Sequence, residues 1–448
     1  MKHRWILLLL PAFLGMAYGQ QSDRGTLVLS LKRAVLLAVS PEGNAEIRAS
    51  GEALKQAKAR SAQTRSELLP SFDTSLNYRS QTVNLRANGL QLDIPTVPGF
   101  SFTFPSLVGP FNVMDARITA SQSIFNFSSI RRYQASKAGV SVAKSDMDNA
   151  RERVAAQVAR AYLSAIRADA EVETAQANVI LSQAVLTQAE NQKGAGTGTG
   201  IEITRAQVQL ANDRQRLLVA GNSRRHSHMQ LLRLLDLPLD TKLELTDRLG
   251  YVPVDTITLE QAKELAFATR PDLRAQQKRE AGARLSKSAA KMERLPTLSV
   301  FGDYGSIGSG LNDARPTRVY GFTVRIPIFD GGRMDAQRVE AASQYRSEQI
   351  RTSDLKQEIE LEIRLALDAL DSAEEQAQVA KEGLELSEKE LTQARRRYDA
   401  GITSSLEVTD AQTRLARARD NQIEALYNYN LAHIDLEQAM GMASSDLQ

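Results

Sequence analysis

Glu407 and Asp410 stand three residues apart, just after a predicted turn at Ala400–Thr403. On a helix that spacing puts both carboxylates on one face. Such a pair either complements the positive end of a helix dipole or, repeated by symmetry from several subunits, forms acidic rings. The matching positions 205 residues upstream are Glu202 and Arg205, so of the two hairpin turns only the second carries the double acid. No catalytic grouping accompanies it. His226 and His228 are two apart and point to different sides of a helix, and the other histidines are His3 and His433. There is no cysteine, which excludes disulfides and thiolate metal sites. No Ser/His/Asp set stands out, so no metal, cofactor or enzymatic activity is expected. Gly194-Ala195-Gly196-Thr197-Gly198-Thr199-Gly200 invites a phosphate-loop reading, but such a loop follows a strand. Here helical sequence flanks both sides, which predicts the tip of a helical hairpin.

The elements that carry these residues come in duplicate. Ala195, Gly196, Glu202, Thr204 and Gln207 match Ala400, Gly401, Glu407, Thr409 and Gln412 without a gap. Leu69-Pro70 returns as Leu295-Pro296, and Ile124-Phe125-Asn126 returns as Ile328-Phe329-Asp330. The chain reads as one duplicated unit, with repeats over about 28–240 and 257–443. That period is far above the 20–50 residues of stacked solenoid repeats.

Each half predicts helix, strand, loop, strand, long helix, turn, helix. A helix near Ala45–Glu67 stops before Pro70. Phe72, Thr74, Leu76 and Tyr78 then alternate with Asp73, Ser75 and Asn77. In the second half Leu298, Val300, Gly302 and Tyr304 alternate with Ser299, Phe301 and Asp303, where Phe301 breaks the polar face. Partner strands are predicted at Arg117–Phe125 and Thr317–Phe329, with Pro327 tolerable only at a strand end or bulge. The intervening loops are expected at Arg79–Ala116, which is long and carries Pro95, Pro98, Pro105 and Pro110, and at Gly305–Pro316. Two proline-free stretches, Ser128–Gln192 and Arg333–Arg397, each predict a helix of roughly 100 Å at 1.5 Å per residue. The second carries Leu370, Ala377, Leu384, Leu391 and Tyr398 at seven-residue spacing, a coiled-coil seam answered by Val408, Ala411 and Leu415.

The N-terminus reads Lys2-His3-Arg4, an apolar run from Trp5 to Ala17, then Tyr18-Gly19, which describes a secretory signal over 1–19. Without Lys2 and Arg4 the formal charge falls from +3 to +1, so nucleic acid is not an expected partner. No other stretch approaches 18 apolar residues, so entry into a membrane requires a closed β-barrel.

Together these residues resemble the TolC family of outer-membrane efflux proteins. The duplicated Leu-Pro strand starts, Ile326-Pro327-Ile328-Phe329-Asp330-Gly331-Gly332, and the tip from Tyr398 through Gly401 and Ile402 to Gln412 carry the resemblance, which covers essentially the whole mature chain. It implies a mainly α fold with β-strands. Each chain would give four strands to a 12-stranded trimeric barrel in outer-membrane lipid, continued through the periplasm by a helical coiled-coil barrel. It further implies a homotrimeric exit duct for efflux or type I secretion, with a periplasmic adaptor and an inner-membrane transporter as partners. Glu407, Asp410 and Tyr398 match the periplasmic aperture, and Gly196, Gly401 and Ile402 match the tips where the adaptor sits. Thr403 stands where the best-known branch has an arginine, so that branch's gating salt links do not transfer. The alternative from another class is a secreted coiled-coil structural or adhesive protein without a pore.

Overall fold

The computed structural model describes residues 26–89, 105–251, 253 and 257–444. The predicted signal, Pro95 and Pro98 lie outside them. In chain order the elements are β1 (Leu27–Leu29), α1 (Leu31–Val39), α2 (Ala45–Ser66), β2 (Ser71–Asn84), β3 (Leu107–Phe125), α3 (Phe127–Gly194) and α4 (Gly200–Leu234). There follow β4 (Leu243–Leu245), α5 (Leu259–Thr269), α6 (Pro271–Met292), β5 (Thr297–Gly308), β6 (Arg315–Arg325), α7 (Arg333–Asp399) and α8 (Ser405–Met440).

The four long strands form one antiparallel sheet in the order β2-β3-β5-β6. Register separates its faces. Phe72 pairs with Ala120, Leu76 with Ala116, Ile118 with Tyr304, and Val300 with Phe322, giving a continuous apolar surface. Tyr320 and Phe322 are 82% and 73% exposed there. The opposite face carries Ser71, Asp73, Asp115, Arg117 and Asp303. Arg117 donates through Nε to Asp115 at 2.9 Å and through a terminal nitrogen to Asp303 at 3.0 Å, joining β3 to β5. Phe301, the residue that breaks the polar pattern, lies across Gly321: a Cβ there would stand 3.1 Å from the ring's Cζ. The glycine gives the ring a flat backbone to cover, which shields an otherwise weak strand position.

The strands run further than expected. β2 continues to Asn84 and β3 begins at Leu107, so much of the predicted loop Arg79–Ala116 is strand. Pro110 enters β3 because it sits opposite the register shift between Gln81 and Val83, where no ladder hydrogen bond is required of it. Likewise β5 extends to Gly308 and β6 begins at Arg315, which shortens the second loop. β6 ends at Arg325 rather than Phe329, since Pro327 cannot donate to a ladder.

Each strand connects to a helix through a short segment, the longest being 326–332 after β6, so α2, α3, α6 and α7 pack side by side in the order of their strands. α3 and α7, with 68 and 67 residues, then pair with α4 and α8 as antiparallel hairpins. Asn126 caps α3 by accepting from the Ser129 N–H at 3.1 Å. Alanines at 155, 156, 159 and 165 are fully buried and let neighbouring helices approach closely along α3.

Midway along the helices lies a packed belt that the sequence did not announce. β1 pairs in parallel with β4, Val28 opposite Glu244. α1 and α5 close on the long helices in the two halves. Tyr162, fully buried, donates its hydroxyl to the Leu29 carbonyl at 2.9 Å and to Asp247 at 2.8 Å. Asp247 also accepts from the Leu31 N–H at 2.7 Å, which anchors the start of α1. Burial and the Asp247 carboxylate both push the Tyr162 phenol well above its ordinary value, so it stays a donor throughout the physiological range. Tyr162→Phe removes a donor that serves two acceptors. It should cost about 1–2 kcal/mol, read as a lower midpoint in thermal unfolding followed by circular dichroism.

Candidate gate at the hairpin tips

Both tips are helix-to-helix turns. After α3, the Thr197 and Gly198 N–H groups donate to the Gln192 carbonyl at 2.9 and 3.0 Å. After α7, the Ile402 N–H donates to the Arg397 carbonyl at 2.9 Å. Gly196 at φ +76° and Gly401 at φ +71° take the left-handed conformation that ends such helices. A Cβ at either would meet open space, so backbone angle alone demands glycine there. Ile402 is 70% exposed beside Gly401.

The two matching glutamates do different work. Both occupy the third position of their helices. Glu202 turns back and accepts the Thr199 N–H at 2.9 Å, the return half of a capping box. Glu407 instead takes the Arg397 guanidinium at 3.0 Å and the Thr403 hydroxyl. The residues matching Arg397 and Thr403 in the first hairpin are Gln192 and Gly198, which offer neither contact. Arg397 was not singled out from sequence, although its mismatch with Gln192 at the matched offset was the available signal. Asp410 is exposed and, among the described residues, has no ion-pair partner within the chain. The structure therefore places Glu407 and Asp410 at the same tip but neutralises only Glu407.

Tyr398 lies inward. It is 3% exposed and packs with Val185, Leu186 and Leu210 of the first hairpin and Leu391, Val408 and Leu415 of the second. Burial, then the nearby Glu202 and Asp399 charges, raises its phenol above the ordinary value. Its hydroxyl, the Ser405 hydroxyl and both polar atoms of the Gln412 amide have no protein hydrogen-bond partner among the described residues. Among the described residues, polar links between the hairpins include Gln188 donating to Asp399 near the tip, Arg419 donating to the Asn178 side chain at 3.2 Å, and Arg160 donating to Asp435 at 2.7 Å farther up.

Elsewhere, among the described residues, no three His, Cys, Asp or Glu side chains group as metal ligands. His228 contacts Asp169 at 3.1 Å. The features to be explained are thus a long two-hairpin body, a sheet with one apolar and one polar face, and a charged tip.

A family model for outer membrane efflux proteins matches residues 37–236 and 263–442, one stretch in each half. The chain belongs to this family, the TolC family. It is accordingly an outer-membrane protein that extends into the periplasm. It is 26% identical over 412 residues to the pyoverdine export outer membrane protein OpmQ of Pseudomonas putida, covering 91% of this chain and 85% of that one. Outer membrane protein TolC of Vibrio cholerae is 23% identical over 348 residues, 74% of this chain and 78% of its own. Among solved structures, the Campylobacter jejuni CmeC outer membrane channel superposes with a TM-score of 0.78 at 18% identity. That match covers 92% of this chain and 86% of the other. The open state of the Neisseria gonorrhoeae MtrE channel gives 0.74 at 17% identity, with 92% and 89% covered. These likenesses establish the fold, and the family match establishes the class of channel.

The unpartnered amide of Gln412 sets a test of the contact between hairpins. Gln412→Leu keeps the volume and removes buried polar atoms. It should stabilise the tips by about 1–2 kcal/mol, a factor of 5–30 in amide hydrogen-exchange protection across 391–415. Tyr398→Ala, which empties the same cluster, should lower protection over that segment.

Proposed function

We propose that three copies of this chain close their four-stranded sheets into one 12-stranded barrel, and that the trimer is the exit duct of an efflux or type I secretion system. The observation that carries this is the sheet itself. Its apolar face suits lipid, its polar face suits a water-filled lumen, and β2 and β6 each keep an unpaired edge within the chain. An unpaired edge is not viable in a bilayer, so closure has to come from further copies. The 11–19 residue strands are long enough to cross tilted, since about 9–11 residues suffice. The long helices would continue the lumen into the periplasm.

The tips would serve as the periplasmic gate. Symmetry would bring three copies of Asp410 and Glu407 together as an acidic constriction. Tyr398 would act through the packing of one hairpin on the other rather than by lining the aperture. Gly196, Gly401 and Ile402, at the exposed turns, would meet a periplasmic adaptor that joins the duct to an inner-membrane transporter. That transporter supplies the energy. OpmQ is named for pyoverdine export, and AprF, another relative, for alkaline protease secretion. Relatives with such different cargo support a duct that leaves selection to its pump.

Conductance in planar bilayers tests the duct. A detergent-free soluble protein that forms no pore would favour the secreted coiled-coil alternative. Trivalent cations such as lanthanum should block the pore, and Glu407→Ala with Asp410→Ala should weaken that block. Arg397→Ala should do the reverse, because it unmasks Glu407. Removing a partly exposed ion pair worth about 1 kcal/mol corresponds to roughly fivefold tighter block. Block unchanged in both variants would refute the acidic constriction.

A further inference from the structure

The positive charge of this chain is concentrated where helices meet strands. Segments 55–67, 127–138, 284–294 and 330–340 flank the four junctions with the sheet. They carry 13 Lys and Arg against 5 Asp and Glu, a surplus of eight positive charges in a chain of net +3. On this collar lies a groove of about 540 Å³ between the end of α6 and the start of α7. Arg284, Lys287 and Lys291 line it from α6, and Asp335, Arg338, Val339 and Ala342 line it from α7.

The acids present do not neutralise this groove. Asp335 is shared between Arg294 at 2.5 Å and Arg338 at 3.5 Å. Lys287 lies 5.1 Å above the Tyr345 ring, a contact that leaves its charge intact. Among the described residues, Arg284 and Lys291 have no ion-pair partner. Val339 and Ala342 give the groove an apolar stretch, with Val339 67% exposed. Between groove and sheet runs the linker that follows β6, where Ile328 and Phe329 are 93% and 87% exposed.

Depth also fits. α6 ends at Met292 and β5 begins at Thr297. At 1.5 Å per residue, Lys291 and Lys287 lie about 2 and 8 Å below the helix end, with Arg284 one turn farther. The headgroup layer on each side of a bilayer is roughly 5–8 Å deep, and long basic side chains reach upward along apolar surface. A groove with four cations and one acid, an apolar stretch and an exposed apolar linker nearby matches a lipid, with phosphate on the cations and acyl chain toward the linker.

We infer that the α6/α7 groove binds an anionic phospholipid of the periplasmic leaflet by its headgroup phosphate. This rests on the membrane reading of the sheet. The test uses the purified full-length protein in neutral detergent, titrated with palmitoyl-oleoyl phosphatidylglycerol or phosphatidylcholine and followed by native mass spectrometry. Phosphatidylglycerol adducts should persist at about tenfold lower lipid concentration. The Lys287→Gln, Lys291→Gln, Arg338→Gln variant should fall to the phosphatidylcholine level. Lys381→Gln with Lys389→Gln, toward the tip of α7, should not change it. Equal retention of both lipids, or a preference untouched by the groove variant, overturns the inference. So does displacement of phosphatidylglycerol by millimolar inorganic phosphate, which would make the groove a free-phosphate site. Incorporation into phosphatidylcholine vesicles separates the two readings. A protein that inserts but shows no anionic preference loses only the lipid site, whereas one that does not insert loses the barrel as well.

Discussion

Backbone polarity in lipid is the constraint on which the rest of this molecule depends. Every N–H and C=O at membrane depth needs a partner, and within one chain β2 and β6 each leave a row without one. The duplication makes closure economical, because each half supplies one strand pair already joined through β3 and β5. The strands' alternation follows from the same constraint, since a sheet between lipid and water has to show each a different face. The helices inherit their lateral order from the strands they extend.

Within that frame the two halves have diverged where it matters most. Glu202 and Glu407 hold equivalent helix positions, yet one caps its own helix and the other is held sideways by Arg397 and Thr403. Arg205 faces solvent where the second half has Asp410. A hairpin with a conventional cap is mainly scaffold. In the second hairpin, buried hydroxyl and amide groups of Tyr398, Ser405 and Gln412 lack a protein partner among the described residues, which costs packing free energy there.

Much of this was legible in the sequence, for identifiable reasons. Period-two alternation and proline-free heptads are strong local signals, and they located the sheet and the helices to within a few residues at most ends. Strand ends inside the proline-rich loop were not legible, because Pro110 is tolerated only through a register shift that the local sequence does not encode. The three-residue strands β1 and β4 are too short to carry a period, and only their pairing across the chain defines them. Tyr398 was read by position as an aperture residue. Its burial among four helices follows from the packing of two hairpins, which a single heptad pattern leaves open. The Arg117 bridge and the Phe301 cover over Gly321 likewise depend on register.

The parallel pairing of β1 with β4 has a consequence for the order of assembly. Leu27 meets Leu243 only after the entire first hairpin has been threaded between them. Helical hairpins close through local contacts and form quickly, whereas a pairing across more than two hundred residues must wait on loop closure. The belt that Tyr162 locks is thus among the last parts of a chain to set. A short pairing at the waist of the molecule reports that both halves of the chain have come together.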